Sequence, residues 1–119
     1  MRSYRSLKVA DAIRTELITM FQSGAFEDPR MSDVSISHVE LSKDSSNVKI
    51  FFTTYDESVA KETEKALNNA AGYVRTLLAQ GLNLGYTPAV RFQFDHVAVA
   101  GNKLNALIEK ISHKDESVQ

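Results

Sequence analysis

The segment from Ala66 to Leu78 places a glycine in the middle of a helical pattern, and it constrains the fold more than any other part of the chain. Apolar residues recur at helical spacing on both sides of this glycine, so that one stripe faces one core: Val59, Thr63, Ala66, Leu67, Ala70, Val74, Leu77, Leu78 and Leu82. Glycine inside a helix costs about 1 kcal/mol relative to alanine, and a glycine beside small residues is a place where a helix bends or restarts. The sequence therefore predicts two helical pieces that meet around Ala70, Ala71 and Gly72.

Two interpretations of this step are open. A helix that restarts there frees the backbone amides of Gly72 and Tyr73 and directs the positive end of its dipole at whatever approaches. Such a terminus, with small side chains around it, suits a phosphate of a sugar-phosphate backbone. The other interpretation is that Gly72 only allows a neighbouring element to pack closely, and spacing alone favours this one because single helical glycines commonly serve packing.

Composition limits the rest of the chain. At 119 residues with 43% hydrophobic content, we expect a single domain over residues 1–111 and a polar, disordered tail over 112–119. Cysteine is absent from the sequence, which excludes disulfides and thiolate metal sites and suits a cytoplasmic protein. Charged residues interrupt the first twenty positions and exclude a secretory or membrane-spanning segment there: Arg2, Arg5, Lys8, Asp11, Arg14 and Glu16.

The formal net charge of −1 provides no overall field that attracts nucleic acid. An RNA-binding surface would therefore need local segregation of charge. The first fourteen residues show such segregation, with four basic residues against Asp11. This segment is either a solvated helix face or a binding surface.

Hydrophobic periodicity predicts a first helix from about Ser6 to Ser23, ended by Gly24. The strand that follows changes phase near Ser37-His38, which predicts a β-bulge, since otherwise half of its apolar side chains would face water. Turn-forming residues at 44–47 then join it to a second strand in a hairpin.

The interrupted helix is predicted to begin at a cap formed by Asp56 or Ser58. Thr87-Pro88 opens a last strand, and a final helix follows Gly101, marked by Leu104, Leu107, Ile108 and Ile111. The predicted order is α-β-β-α-kink-α-β-α, an α+β fold with a three-stranded sheet and helices packed on one face.

In this order the chain resembles the ribosome-binding factor A family, and the resemblance runs from Arg5 to Ile108. It is carried by five motifs in sequence: Arg5-x-x-Lys8-Val9-Ala10-Asp11-x-Ile13-Arg14-x-Glu16-Leu17, then Asp28-Pro29-Arg30, then Val34 to Leu41 with Ser42-x-Asp44 and Val48-Lys49-Ile50-Phe51, then Ala66-Leu67-Asn68-x-Ala70-x-Gly72-Tyr73-Val74-Arg75, and finally Pro88-x-Val90-x-Phe92-x-Phe94-Asp95. The family has a type II KH-like fold in which a helix-kink-helix around Ala-x-Gly replaces the usual phosphate loop. The resemblance therefore favours the phosphate interpretation of Gly72.

The resemblance implies a protein without catalytic activity that binds the small (30S) ribosomal subunit and 16S rRNA. It also implies support for late maturation of the precursor rRNA, especially in the cold. The expected partners are 16S rRNA and ribosomal proteins, the expected state is a monomer, and no cofactor, metal, membrane or small-molecule substrate is expected. The RNA-binding residues it implies are Lys65, Asn68, Asn69, Ala70, Gly72, Arg75 and Arg91, with Arg5, Lys8, Lys43 and Lys103 as further candidates.

Two alternatives remain beside this one. His38 with Glu40, and Asp95 with His96, are pairs that acid–base or metal chemistry uses, but neither has a third partner at a recognisable spacing. The second alternative is a KH-like protein–protein adaptor that uses an edge strand or the open sheet face, where Phe51 would be exposed. We expect the final helix to fold across that face and bury Phe51.

Overall fold

The computed structural model describes residues 4–26 and 33–117, and its helices and strands follow the predicted order. The elements are α1 (Tyr4–Gln22), β1 (Val34–Leu41), β2 (Asn47–Thr54), a 3-10 turn (Glu57–Val59), α2 (Ala60–Asn69), α3 (Ala71–Gly81), β3 (Ala89–Phe94) and α4 (His96–Ser117). The α+β class is confirmed, and the chain has the predicted helix-break-helix between its second and third strands. The motif at 28–30 lies outside the described residues.

The sheet has the order β1-β2-β3, with an antiparallel hairpin of β1 and β2 and a parallel pairing of β2 with β3. The register of the hairpin shifts between Ile36 and His38, so the predicted bulge is confirmed. The shift leaves Ser37 as the extra residue, and it allows Ile36 and Val39 to be buried together although they are three residues apart.

Helices α1, α2 and α3 pack on one face of the sheet and enclose the core. The apolar side chains with no measurable exposure come from the central strand and from all three helices: Ile13 and Leu17 in α1, Ile50 and Phe52 in β2, Leu67 in α2, and Val74 and Leu78 in α3. The apolar stripe that runs through both halves of the interrupted helix therefore does face one core, as the sequence predicts.

A cluster of serine hydroxyls and one carboxylate closes the turn between β1 and β2. Asp44 accepts hydrogen bonds from the Ser46 hydroxyl (2.6 Å), the Ser42 hydroxyl (2.8 Å) and the Ser46 amide (3.1 Å). Ser45, at the tip, has a φ of 61°, in the left-handed region that tight turns use. Hydrogen bonds from Ser46 and Ser42 lower the pKa of Asp44 from 3.8 to about 2.

This lowered pKa predicts how stability changes in acid. The folded state favours the ionised Asp44, so its contribution to the free energy of unfolding is present above pH 3.8 and is lost as the pH falls toward 2. We expect Asp44→Asn to be less stable than the natural chain at pH 6, and the deficit to shrink between pH 4 and pH 2. Urea unfolding at several pH values measures this, and a deficit that stays constant with pH contradicts it.

Helix α4 differs from the prediction in its start, its end and its packing. It begins at His96 and not after Gly101, because Asp95 caps it by accepting a hydrogen bond from the Ala98 amide at 2.9 Å. Helical backbone continues to Ser117, so the tail expected to be disordered from residue 112 is helical as far as the structure describes it. Neither proline nor glycine follows Gly101 to end the helix.

The final helix does not cover the open face of the sheet. Its apolar side chains Leu104, Leu107 and Ile108 are 57%, 55% and 53% exposed. Phe51 is nevertheless half-buried, because the His38 ring lies beside it at 5.8 Å and Lys49 lies over it. The expectation that α4 buries Phe51 is therefore wrong, since helical spacing of apolar residues shows that a helix has an apolar side but not what that side contacts.

Candidate nucleic-acid interface

The break between α2 and α3 is centred on Ala70. This residue has φ −91° and ψ 1°, outside the helical range, and its amide is shared between the carbonyls of Ala66 and Leu67, each at 3.1 Å. Val74 is the first residue of α3 whose amide donates back along the chain, to the Ala70 carbonyl at 3.0 Å. The amides of residues 71–73 therefore have no acceptor within α3 and form its positive N-terminal end.

Gly72 lies exposed at this terminus. A Cβ added to it would have none of the described atoms within 4 Å outside its own helix backbone. Gly81, at the other end of α3, is the contrasting case, because a Cβ there would collide with the Glu16 carboxylate of α1. Among residues 4–26 and 33–117, therefore, no element packs closely against Gly72, which contradicts the packing interpretation for the described chain, and the space beside this residue is open.

Asn68 has a structural role that the sequence does not reveal. Its side-chain amide donates to the Phe92 carbonyl at 3.0 Å and accepts from the Phe92 amide at 2.8 Å. One turn earlier on α2, Glu64 accepts from the Phe94 amide at 3.1 Å. These bonds satisfy the Phe92 amide and carbonyl and the Phe94 amide on the outer edge of β3. The polar RNA contact predicted for Asn68 is therefore corrected to a contact between α2 and β3, and another strand cannot pair with β3 through these groups.

Arg75 holds the loop between α3 and β3. Its guanidinium donates two hydrogen bonds to the Thr87 carbonyl, at 3.1 and 2.9 Å, and lies 5.9 Å from the centre of the Tyr86 ring. Tyr86 is 61% exposed and, with Arg5 and Ser45, lines a cleft of about 320 Å³. The structure thus brings Arg5 and Arg75 to the same end of the molecule, around a tyrosine that the sequence reasoning missed. The sequence feature that could have identified Tyr86 is its position in the loop directly after Gly85.

The other predicted residues lie on several different elements. Lys65 and Asn69 are exposed one turn apart on the last part of α2, Lys8 is exposed one turn after Arg5 on α1, and Lys43 is exposed in the turn between β1 and β2. Arg91 is on the opposite face of the sheet from the helices. Lys103 forms an ion pair with Glu57 at 3.0 Å, beyond the far end of β2 from the Tyr86 cleft, so it does not join the other residues.

The family described as ribosome-binding factor A matches residues 5–108 of the chain. The chain belongs to the ribosome-binding factor A family. The ribosome-binding factor A of Coxiella burnetii is 36% identical over 115 residues, which is 97% of this chain and 96% of that protein.

Solved structures of ribosome-binding factor A agree with the fold. The solution structure of a Thermotoga maritima protein described under this name has a TM-score of 0.67 at 28% identity, covering 82% of this chain and 93% of that one. A homology model of the Thermus thermophilus ribosome-binding factor A, fitted into a cryo-EM map of its complex with the 30S subunit, has a TM-score of 0.52 at 25% identity, covering 68% of this chain and 89% of that one. The KH-like fold that the sequence predicts for a ribosome-binding factor A is confirmed.

The paired residues that suggested acid–base chemistry have ordinary structural roles in this domain. Asp95 caps α4 through Ala98 and accepts from the Ser37 hydroxyl at 2.7 Å, and these bonds lower the pKa of its carboxyl. His38 contacts Glu40 at 3.3 Å on the surface. Across residues 4–26 and 33–117, three or more histidine, aspartate or glutamate side chains nowhere gather as metal ligands would. None of the helices in those ranges has the length and apolar character needed to cross a bilayer.

Proposed function

We propose that this chain binds the small ribosomal subunit, contacts 16S rRNA through the break between α2 and α3, and supports late maturation of the precursor rRNA, including in cold adaptation. The observation that carries this proposal is the open α3 terminus at Gly72, in a chain whose family match covers residues 5–108. The Thermus thermophilus relative fitted into a map of its 30S complex supports the small subunit as the partner. In this proposal the protein is cytoplasmic, monomeric and without catalytic activity.

The proposed contact is electrostatic and steric. Three amides at the start of α3 have no acceptor within the helix, Gly72 is exposed, and Ala70, Ala71 and Gly72 present no side chain longer than a methyl group. A phosphate can therefore approach the backbone closely and accept hydrogen bonds at the positive end of the helix. Lys65 and Asn69, exposed on the preceding turns of α2, supply a cation and a neutral donor beside it.

A second group of contacts lies at the Tyr86 end of the molecule. Arg5 and Tyr86 share a cleft, Arg75 keeps further guanidinium donors beside its bonds to Thr87, and Lys8 and Lys43 are exposed on α1 and in the hairpin turn. Arginine and lysine at such positions bind phosphates, and an exposed tyrosine ring stacks on unpaired bases. Asn68 and Lys103 are left out of the proposed contacts because both are engaged within the domain.

Lys65 offers a specific test of phosphate contact. We expect Lys65→Gln to weaken binding to the small subunit about threefold and to lower the slope of log affinity against log salt by about 0.7, because one fewer counterion is released. Arg14→Gln removes an exposed cation in the middle of α1 and is the matched control, for which the slope stays unchanged. Equal slopes for both variants would show that Lys65 does not contact a phosphate.

The proposal as a whole is tested by sedimentation. The purified chain should travel with small subunits in a sucrose gradient at low salt and should be released at high salt. An adaptor for an unrelated protein would remain at the top of the gradient at every salt concentration. Accumulation of unprocessed 16S rRNA in cells lacking the gene, greater at low temperature, tests the proposed role in maturation.

A further inference from the structure

The face of the sheet opposite the packed helices carries two basic side chains next to each other. Lys49 and Arg91 are register partners on the neighbouring parallel strands β2 and β3, and both are exposed. Like charges directly opposite each other on adjacent strands destabilise a sheet. Together with Glu40, Ser42 and Asn47, these two residues line a cleft of about 340 Å³.

Neither cation forms an ion pair with the described residues around it. Within the described parts of the chain, the Arg91 side chain takes part in no hydrogen bond or ion pair, and the Lys49 side chain only lies over the Phe51 ring, 5.9 Å from its centre. Two positive charges are thus held side by side at the opening of a cleft. An anionic group placed between them would relieve their mutual repulsion.

The nearby carboxylates, in contrast, are occupied. Glu40, the partner of Lys49 on β1, contacts the His38 ring nitrogen at 3.3 Å. Asp95, at the end of β3, accepts hydrogen bonds from the Ser37 hydroxyl and the Ala98 amide. These contacts hold the two carboxylates against His38, Ser37 and Ala98, so neither of them forms an ion pair with Lys49 or Arg91.

Aromatic surface lies beside the two cations. His38 and Phe51 are register partners, with ring centres 5.8 Å apart and planes tilted by 30°. The His38 side chain is 56% exposed, so the outer side of this ring pair is accessible. Unpaired bases of single-stranded RNA stack on such rings, while neighbouring cations bind the backbone.

We propose that this open sheet face is a second RNA-binding surface, which takes a single-stranded segment with a phosphate between Lys49 and Arg91 and a base on the ring pair of His38 and Phe51. The inference rests on the proposed function and extends it, because the surface lies on the other side of the sheet from the helix break at Gly72. RNA fits better than an acidic protein segment, since RNA supplies both a phosphate for the cations and a base for the ring pair, whereas a carboxylate supplies only the charge. The chain would then contact RNA on both sides.

The test compares two double variants. Lys49→Gln with Arg91→Gln removes the paired cations, and Arg14→Gln with Lys61→Gln removes two exposed cations from helices that pack on the other face. The probe is a single-stranded RNA of mixed sequence, about 12 nucleotides long, titrated at several salt concentrations. We expect the first variant to bind about fivefold more weakly and with a slope of log affinity against log salt lower by about 1.4, and the control to keep its slope. Equal slopes would overturn the inference.

Folding and partner identity are checked separately. Because Lys49 and Arg91 repel each other, their replacement should leave the melting temperature unchanged or higher, so weaker binding would not come from unfolding. A benzophenone amino acid at Gln93, exposed on the same face, should crosslink to 16S rRNA in the complex with the small subunit. Crosslinks to ribosomal proteins alone would overturn the inference.

The two proposals fail in different ways. The proposed function is contradicted if the natural chain does not sediment with small subunits at any salt concentration. Suppose instead that the natural chain sediments with small subunits and that Gly72→Glu does not. Unchanged RNA binding by the double variant of Lys49 and Arg91 would then overturn only the second RNA-binding surface.

Discussion

Gly72→Glu should reduce binding to the small subunit by at least about tenfold, which is about 1.4 kcal/mol, while leaving the domain folded. The added carboxylate would stand in the open space where a phosphate is proposed to approach the amides of α3. It would occupy the positive end of the helix itself and repel the phosphate. The same charge near a helix N-terminus favours the helix, so the variant should be at least as stable as the natural chain. Co-sedimentation and thermal melting measure the two effects.

Two further variants separate the causes. Gly72→Ala adds only a methyl group into open space and should raise the free energy of unfolding by up to about 1 kcal/mol, with little loss of binding. Gln80→Glu adds the same charge near the other end of α3, away from the free amides, and should bind normally. If Gly72→Glu sediments with small subunits as well as the natural chain does, the helix break is not part of the interface, even though the chain belongs to this family.

Asn68→Ala is expected to have the largest effect on stability. The substitution removes both hydrogen bonds to Phe92 and leaves a backbone amide and a carbonyl of a buried residue without partners. Each unsatisfied group costs about 1–3 kcal/mol, so the free energy of unfolding should fall by about 3 kcal/mol and the melting temperature by roughly 10 °C.

The neighbouring Asn69 provides a matched control. It is exposed at the end of α2, and Asn69→Ala changes helix propensity in the same direction without breaking a hydrogen bond to β3. We expect it to keep its stability within about 0.5 kcal/mol and to bind the small subunit more weakly. Asn68→Ala, measured well below its melting temperature, should bind like the natural chain. Equal melting temperatures for the two variants would show that the bonds to Phe92 do not stabilise the fold.

Much of the fold is predictable because its signals are local. The alternating pattern of β1 and its change of phase at Ser37 predict the strand and its bulge, and the apolar spacing around Gly72 predicts two helices with one buried side. In each case the residues that determine the structure lie within a few positions of one another, because a helix repeats about every 3.6 residues and a strand every two. The break at Ala70 belongs to the same group, since small residues beside a glycine weaken a helix at that point.

The roles of individual polar side chains were less predictable. Asn68 and Lys65 are both polar residues of α2, yet one is bonded to a strand 24 positions away and the other is exposed. Tyr86 and Lys49 were missed as binding candidates because their value depends on neighbours brought from other elements. A sequence pattern reports the side of a helix or strand on which a residue lies, but not the group it meets there.

The sequence by itself determined the α+β class, the hairpin, the interrupted helix and the resemblance to ribosome-binding factor A, because periodicity and turn chemistry act between near neighbours in the chain. Only the tertiary structure decided that Gly72 opens to solvent, that Asn68 bonds to the β3 backbone at Phe92, and that α4 leaves the sheet face uncovered. Those outcomes depend on which elements pack together, and packing joins residues that are far apart in sequence.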